Sequence, residues 1–451
     1  MGLKDKVNFL NPSLITSALS EVKTNYASLG AASKSNETHT YPLPPWLRPL
    51  AMSVVTFCLA FIVVAMYKMW NYPCRPRKKG RGGGYPVLWN PNTSFTDGLV
   101  QWIFPLILPV GDMVRGDVEG IREKVKFLSE MGWNSGVERL GLEVSEGSIM
   151  VGGKGKGKGR GVGGGRKVGY VKAGYTEEGE GGEKGGKKVS EKQEIDKHLV
   201  IWLHGGGLTT GSHKDASLVD FITYTNSSSG GSGMLPKKRD VVYVSVDYSL
   251  APSSKVSGMR EEVKAVAAEV WDEGVHKSLV VAGISAGAYL GMAAARDMVA
   301  GGVGGLKVDG VWSHDMMTPV GEGRRSEVDN MYARTAPGEW IEWCWEQAKD
   351  EGWGEVFTGG LGERGEGAED VKVDMVLARG DVMFDGGREV GEKLKGQGWD
   401  VRVTEVGCSH VCAGLVGGVM EQAVGEFWRR LEGEGGEGGE GVESDDSFDE
   451  D

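Results

Sequence analysis

Six short apolar runs alternate with helical patterns between residues 198 and 431 of the 451-residue chain. Runs without polar alternation are typical of strands that are buried on both faces of a sheet. Their alternation with helices predicts an α/β fold with a mostly parallel sheet and helices on both faces. The expected strands are His198–Leu203, Val241–Val246, Ser278–Ala282, Val308–Trp312, Val373–Ala378 and Val401–Val406. The expected helices cover residues 259–272, 286–299, 386–396 and 414–431.

Two stretches interrupt this alternation. Residues 315–370 fit it poorly, and we interpret part of them as a helical cap. Within them, Glu339–Gln347 has a helical pattern whose tryptophans would supply an apolar wall; these are Trp340, Trp343 and Trp345. Residues 152–188 are rich first in Gly, Lys and Arg and then in Gly and Glu, which is typical of a flexible low-complexity insertion.

The two ends of the chain are polar. Residues 1–45 and the Gly/Glu/Asp-rich residues 432–451 are predicted to be disordered. Residues 85–431 would then hold the folded domain. Near its start, Leu99–Val110 is apolar but short and contains two prolines, so it fits a membrane-dipping segment or a buried core segment equally well.

An uncharged apolar segment, Leu50–Tyr67, is long enough to cross a bilayer as a helix and so to contact membrane lipid. Trp46 and Trp70 flank it at positions typical of interfacial tryptophans, so residues 46–70 are predicted to be a transmembrane anchor. Five Lys and Arg residues follow between positions 75 and 81. The positive-inside rule therefore predicts that the rest of the chain is cytoplasmic.

Charge and cysteine content narrow the classes of function. The chain has a formal net charge of −12, whereas nucleic-acid-binding domains are normally basic, so we expect no nucleic-acid partner. Five cysteines are too few, and odd in number, for a disulfide framework. The sequence carries no signal for an oligomeric state.

The segment Val280–Gly291 joins a strand-like run to an Ala-rich helical pattern through the residues GISAG. A GxSxG motif between a strand and a helix is typical of a nucleophile elbow, a sharp turn that exposes a serine hydroxyl. Gly283 and Gly287 would leave room for that turn. Ser285 is therefore the predicted nucleophile.

A serine nucleophile requires a general base and an acid that orients the base. His410 follows the last strand-like run, which is the place of the base in the chain order Ser, acid, His, whereas His314 comes too early. Asp381 and Asp385 both follow the preceding run. Asp381 is the predicted acid because it lies nearest the strand end, and Asp385 is interpreted as a helix-capping residue. Such a triad needs no metal or organic cofactor.

Backbone N–H groups must also stabilise the oxyanion of the tetrahedral intermediate. The amide of Ala286, directly after the nucleophile, is expected to supply one of them. His204-Gly205-Gly206-Gly207 follows the first apolar run, and glycines there can turn their amides toward the serine. Gly205 and Gly206 are therefore predicted to complete the oxyanion hole.

These motifs, in this order, resemble those of the hormone-sensitive-lipase-like esterases of the α/β-hydrolase fold, over roughly residues 195–430. The matching segments are His204–Gly207 with Gly211, Val246–Pro252, Gly283–Gly287, Gly380–Gly387 and Ser409–Val411. The resemblance implies the same triad and oxyanion hole, and it implies that the segment Asp247–Pro252 helps to brace the oxyanion loop. Ile284 and Ser253 depart from the family, which commonly has Asp and Glu there.

With its predicted anchor, the chain is most similar to the fungal steryl acetyl hydrolase branch of this family. That similarity implies deacetylation of sterol esters at the endoplasmic reticulum. It also implies a site in the lumen, which conflicts with the cytoplasmic side predicted from charge. In broader terms, we expect a membrane-anchored hydrolase that acts on small esters of apolar alcohols.

Three other functions fit parts of the sequence. The same triad and hole would serve an arylformamidase-type amidase, and a non-catalytic binding protein could share the fold, although such proteins generally lose a triad member. Cys408-x-His410-x-Cys412 has metal-ligand residue types. However, alternate residues of an extended segment point to opposite faces, and no second cluster completes a tetrahedral site.

Overall fold

In the computed structural model, the described strands of the protein form one eight-stranded sheet. The structure describes residues 116, 118–151, 166–175, 197–227, 239–301, 306–330, 335–351, 353–359, 370–415 and 418–433. The strands are β1 (Leu142–Val151), β2 (Arg166–Tyr175), β3 (Lys197–Leu203), β4 (Val241–Asp247), β5 (His276–Ile284), β6 (Gly310–His314), β7 (Lys372–Ala378) and β8 (Asp400–Val406). The helices are α1 (Val118–Leu140), α2 (Ala216–Asn226), α3 (Val256–Val270), α4 (Ala286–Gly301), α5 (Arg325–Asn330), α6 (Gly338–Ala348), α7 (Glu355–Gly359), α8 (Phe384–Gly396) and α9 (Val419–Leu431).

The sheet order is β1-β2-β4-β3-β5-β6-β7-β8. Strands β3 to β8 pair in parallel, and each lies within two residues of a run expected from the sequence. Strands β1 and β2 extend the sheet in antiparallel fashion beyond β4. The predicted mostly parallel α/β fold is therefore confirmed, with an antiparallel edge that the sequence did not predict.

Helices cover both faces of the sheet, because successive strand side chains point to opposite sides. On β3, Leu199, Ile201 and Leu203 belong to the apolar core that contains α3, α4 and α8. The alternate residues Val200 and Trp202 belong to the core that contains α2 and α9. This arrangement leaves the carboxyl ends of the parallel strands as the edge on which loops can assemble a site.

Residues 166–175 form β2, so the prediction that they belong to a flexible loop is wrong. Strand β2 hydrogen-bonds to β1 on one side and to β4 on the other. Val168, Val171 and Ala173 are buried among its basic residues. Two ladders of backbone hydrogen bonds and this apolar burial offset the entropy lost on ordering a segment rich in Gly and Lys. The remaining parts of the expected insertion, residues 152–165 and 176–188, lie outside the described residues.

Glu432, expected to begin a disordered tail, is instead held at the end of α9. Arg239 Nε donates to its carboxylate at 3.0 Å, and His198 Nε2 lies 3.6 Å from the same oxygen. Burial alone would raise the pKa of this carboxyl, but the nearby His198 and the hydrogen-bonded Arg239 lower the pKa to about 2. The folded part therefore extends past residue 431, and residues 434–451 lie outside the described residues.

Helix α6 occupies the place of the helix expected over Glu339–Gln347. Trp340 and Trp345 are buried, and the Trp345 ring meets Tyr289 of α4 edge-on with 4.8 Å between ring centroids. The tryptophans thus form an apolar wall as expected. The assignment of residues 315–370 in part to a cap stays a prediction, since segments at 331–334 and 360–369 are not described.

The predictions for the N-terminal region concern residues outside the described part of the chain. They are the disordered tail at 1–45, the transmembrane anchor at 46–70 and the short apolar stretch at 99–110. Among the helices that the structure describes, none is both long enough and apolar enough to cross a bilayer.

Two phenylalanines test the packing of α9. Phe427 is fully buried against Trp312 of β6, with 5.6 Å between ring centroids, whereas Phe127 of α1 is 65% exposed. We expect Phe427→Ala to lower the free energy of unfolding by about 3–5 kcal/mol because it leaves a cavity. Phe127→Ala, the matched control, should change it by less than about 0.5 kcal/mol. Urea denaturation measures both, and equal losses would contradict the packing described.

Candidate active site

Ser285 lies in a sharp turn between β5 and α4. Its φ of 55° is in the left-handed region, which L residues rarely adopt. A Cβ on Gly283 would lie 2.6 Å from the backbone of Gly287, and a Cβ on Gly287 would lie 2.1 Å from the carbonyl oxygen of Leu203. Both glycines of the GxSxG motif are therefore sterically required, because the turn packs backbone to backbone.

Hydrogen bonds from the neighbouring strand hold this turn in place. Ser285 N donates to His314 O at 2.8 Å, and Met317 N donates to Ser285 O at 3.0 Å. His314 is the last residue of β6 and holds the serine amide, and Met317, in the segment after that strand, holds the serine carbonyl. Burial and the charge of His410 lower the pKa of His314 to about 3, so His314 is neutral and takes a structural position beside the site.

His410 connects Ser285 to Asp381. Its Nε2 lies 2.9 Å from Ser285 Oγ, and its Nδ1 lies 2.6 Å from Asp381 Oδ2. All three residues are buried, with between 2 and 4% of each exposed. An ionised carboxylate only accepts hydrogen bonds, so Nδ1 carries the proton and Nε2 is available to accept the serine proton. The structure thus brings the three predicted residues together in the arrangement of a nucleophile, a base and an orienting acid.

The electrostatic surroundings suit His410 to the role of a base. Burial alone would lower its pKa, but the charge of Asp381 and the hydrogen bond to it outweigh burial, and Asp315 adds to their effect. The pKa of His410 is therefore raised above its ordinary value of about 6.5. Asp385, the alternative acid, lies elsewhere and accepts a hydrogen bond from Ser326 N at 2.7 Å.

Three glycines lie at the start of the loop that follows β3, and the first of them lies beside the serine. A Cβ on Gly205 would lie 3.4 Å from Ser285 Cβ, which places this residue against the nucleophile. Gly206 and Gly207 have φ values of 111° and 64°. Within the described ranges, the amides of Gly205, Gly206 and Ala286 donate to no protein acceptor. The three predicted oxyanion-hole donors are thus unpaired, and two of them, Gly205 and Ala286, lie next to Ser285.

His204 supports this loop from behind. Its ring stacks on Tyr248 with 4.2 Å between centroids, and the Tyr248 hydroxyl donates to His204 O at 2.7 Å. Burial lowers the pKa of His204, so the ring is neutral and its Nδ1 donates to Gly205 O at 2.8 Å. A Cβ on Gly211 would lie 2.2 Å from that nitrogen, which explains the glycine at this position.

Two side chains brace the outer part of the loop. Asp247 lies 3.0 Å from His213 Nδ1 and so connects the end of β4 to the loop. Arg122 of α1 donates to Thr209 O at 2.7 Å and also to Ala251 O. Nothing in the sequence pointed to Arg122, because it precedes every motif by about eighty residues and its partners are backbone carbonyls.

Strained backbone marks the same region. The non-glycine residues with positive φ in the described chain are Leu208, Ser285, Asp315 and Val411, with values from 48° to 60°. Such conformations cost on the order of 1–3 kcal/mol each and persist only where the surroundings fix them. All four belong to the serine turn or to a loop adjoining it. Their clustering identifies the site without reference to any motif.

Asp315 is the acidic residue of this site that was missed from the sequence. It directly follows β6, is 2% exposed, and accepts hydrogen bonds from Ala378 N at 2.7 Å and Val411 N at 2.6 Å. Burial raises its pKa to about 7, although His410 opposes this effect. Its position at the carboxyl end of a strand was the available signal. The expected order Ser, acid, His directed attention to the following strand instead.

Residues 200–413 match a family model whose description is alpha/beta hydrolase fold. Over this segment, the chain is similar to the hormone-sensitive-lipase-like α/β-hydrolase family. The match is to the family as a whole, so the steryl acetyl hydrolase branch stays a prediction. No curated protein matches the chain in sequence.

Solved esterase structures share this fold at low sequence identity. The alignment with a fungal esterase from Rhizomucor miehei covers 79% of this chain and 100% of that one, with 18% identity and a TM-score of 0.51. The alignment with an esterase from Pyrobaculum calidifontis covers 76% of this chain and 99% of that one, with 18% identity and a TM-score of 0.51. The alignment with esterase LipW from Mycobacterium marinum covers 70% of this chain and 88% of that one, with 17% identity and a TM-score of 0.50. These similarities establish the fold.

The steric requirement for glycine at position 287 can be tested directly. We expect Gly287→Ala to lower the free energy of unfolding by at least about 2 kcal/mol, because the added Cβ would collide with backbone atoms that cannot move aside. Gly396→Ala is the matched control, since no atom lies within 4 Å of a Cβ there. It should be neutral or stabilising by up to about 1 kcal/mol. A Gly287→Ala protein with an unchanged thermal transition would contradict the backbone packing at the serine turn.

Proposed function

We propose that the chain hydrolyses carboxylic esters of apolar alcohols with Ser285 as the nucleophile. The observation that carries this proposal is the hydrogen-bonded series from Ser285 Oγ through His410 to Asp381, with the unpaired amides of Gly205 and Ala286 beside the serine. Such a series activates a hydroxyl that is otherwise a weak nucleophile. The match of residues 200–413 to the α/β-hydrolase family model and the esterase names of the structural neighbours support the same reaction.

In the first half of the reaction, Ser285 Oγ attacks the ester carbonyl carbon while His410 Nε2 takes the serine proton. Asp381 holds the imidazolium that forms, and the amides of Gly205, Gly206 and Ala286 hydrogen-bond the oxyanion. When the intermediate collapses, the bond between the carbonyl carbon and the alcohol oxygen breaks. His410 then gives its proton to the departing alcohol, which leaves an acyl-serine.

In the second half, water attacks the acyl-serine while His410 takes a proton from that water. The second tetrahedral intermediate uses the same amide donors, each of which is typically worth about 3–4 kcal/mol of transition-state stabilisation. Its collapse breaks the bond to Ser285 Oγ, and His410 returns the proton to the serine. The products are a carboxylic acid and free enzyme.

The preference for apolar substrates is supported by the side chains against the oxyanion loop. A Cβ on Gly207 would lie 2.5 Å from Cys344 Sγ and 3.0 Å from Trp340 Cζ2, so α6 abuts the loop with apolar groups. We further propose that sterol acetates are among the substrates and that residues 46–70 attach the enzyme to a membrane. Both proposals rest on the resemblance to steryl acetyl hydrolases and on the apolar run at 50–67.

The role of Ser285 is tested by Ser285→Ala. We expect kcat to fall by about 10⁶-fold, as in other serine hydrolases that lose the nucleophile. Labelling by a fluorophosphonate should disappear as well. Ser245→Ala, which changes another fully buried serine, should keep both properties. If the Ser285→Ala protein were labelled and active like the parent chain, the assignment would be wrong.

The pH dependence follows from the raised pKa of His410. The base must be neutral to accept the serine proton, so kcat/KM should fall as the pH decreases through a pKa above about 6.5. His276→Gln changes a distant histidine, whose own pKa is lowered by burial, and should leave the profile unchanged. An acid limb well below pH 6 would show that another group controls the reaction.

Substrate class and membrane attachment need separate measurements. We expect short acyl esters of apolar alcohols and sterol acetates to be hydrolysed faster than aryl formamides; the opposite ranking would favour the arylformamidase alternative. The full chain should remain with membranes after carbonate extraction, whereas a chain lacking residues 46–70 should be released. Protease protection then determines which side of the membrane holds the enzyme.

A further inference from the structure

The structure places two acids, not one, around His410. Asp381 follows β7 and Asp315 follows β6, and these strands are neighbours in the sheet, paired at His314 and Val376. One nitrogen of His410 and one carboxylate oxygen from each acid all lie within 4.8 Å of one another. The proposed mechanism uses Asp381 alone.

Both oxygens of Asp315 are committed to backbone donors. Oδ1 accepts from Ala378 N at the end of β7, and Oδ2 accepts from Val411 N, the residue after His410. The Asp315 amide itself donates to Val376 O at 2.8 Å. This side chain therefore connects the ends of two strands to the loop that carries the imidazole.

The loop needs such a support. Val411 has a φ of 54°, which is a genuine outlier for a β-branched residue. The Asp315 carboxylate hydrogen-bonds the amide of that strained residue, and Asp315 is itself in the left-handed region at 48°. Two strained residues in direct contact beside His410 indicate that this arrangement fixes the position of the base.

We propose that Asp315 is a positioning residue for His410. The Asp315 side chain anchors the loop that carries His410 by accepting a hydrogen bond from Val411 N. It also gives the imidazolium a second carboxylate, which partly replaces Asp381 when Asp381 is lost. This inference rests on the proposed function of His410 as the base. Asp315 acts through His410 and makes no contact with reacting atoms.

The charged and titratable groups around His410 limit the explanations for any pH effect. Asp381 faces it from the end of β7, Asp315 and His314 face it from the end of β6, and Ser285 faces it from the elbow. His314 is neutral because burial lowers its pKa. The negative charges that can raise the pKa of the imidazole within this described group are therefore those of Asp381 and Asp315.

The test combines a double-mutant cycle with a direct titration of the imidazole. Asp315→Asn and Asp381→Ala are made singly and together, and kcat/KM is measured with a p-nitrophenyl acetate substrate. We expect Asp315→Asn to cost about 10-fold in the parent chain and about 100-fold or more in the Asp381→Ala background, because coupled groups are not additive. Equal fold losses in the two backgrounds would overturn the proposal.

The second readout does not depend on activity. NMR of histidine-labelled protein, with His410 assigned from a His410→Gln variant, reports the pKa of its imidazole. We expect this pKa to fall in Asp315→Asn and to fall further in the double variant. An unchanged pKa in both would overturn the proposal, since a residue that only supports the backbone would not alter the titration of the imidazole. If Ser285→Ala were fully active, the proposed function would fail, yet this titration would still report on Asp315.

Two further variants separate charge from folding. If Asp315→Asn does not fold, Asp315→Ser is used in its place, because the hydroxyl keeps an acceptor and removes the charge. Asp374→Asn changes another buried acid on β7, one that pairs with Arg430 and Arg402 instead of a histidine. It should lower the melting temperature without altering the pKa of His410. A fall of that pKa in Asp374→Asn equal to the fall in Asp315→Asn would overturn the proposal.

Discussion

The backbone of the Ser285 turn packs directly against the end of β3, with no side chain between them. Gly287 allows this approach, since any Cβ there would collide with the carbonyl oxygens of Leu203 and His204. Because main chain touches main chain, the separation between the serine and the loop at Gly205 is set by strand pairing and not by side-chain packing. The position of Ser285 relative to Gly205 is thus a property of the sheet. Every other part of the site is arranged around that fixed distance.

The residues with strained backbone near this contact are each held by hydrogen bonds from neighbouring segments. Ser285 is held through its amide and its carbonyl by the end of β6 and the residues after it. Val411 is held by a buried carboxylate, which also reaches the end of β7. Strained conformations persist only when the surrounding structure fixes them, so these hydrogen bonds are required to keep Ser285 and Val411 in their strained conformations. The same contacts that stabilise the fold locally also pre-organise the hydrogen-bonded series of Ser285, His410 and Asp381.

The parallel sheet and the turn at Ser285 were predictable because both have short-range signals. Strands buried on two faces are continuous apolar runs, and a GxSxG elbow needs its glycines next to the serine. Strand β2 was missed because Gly and basic residues separate its few apolar residues. The burial of those apolar residues depends on pairing with β1 and β4. Arg122 and Asp315 were missed for a related reason. Their partners are backbone groups far away in sequence, so no local pattern records the contact. Glu432 was missed because its partners, Arg239 and His198, are more than 190 residues away in the chain.

Because α1 supports the oxyanion loop through Arg122, the unit that folds on its own must include α1. The segment that matches the family model, residues 200–413, begins after Arg122 and ends before α9. A fragment cut at those limits would lose the guanidinium that holds Thr209 and Ala251, and it would lose the helix that covers Trp312. It would also expose the edge of β4 where β2 is paired, and unpaired edges promote aggregation. A fragment that keeps these contacts therefore begins before residue 118 and ends after residue 432, well beyond the segment that matches the family model.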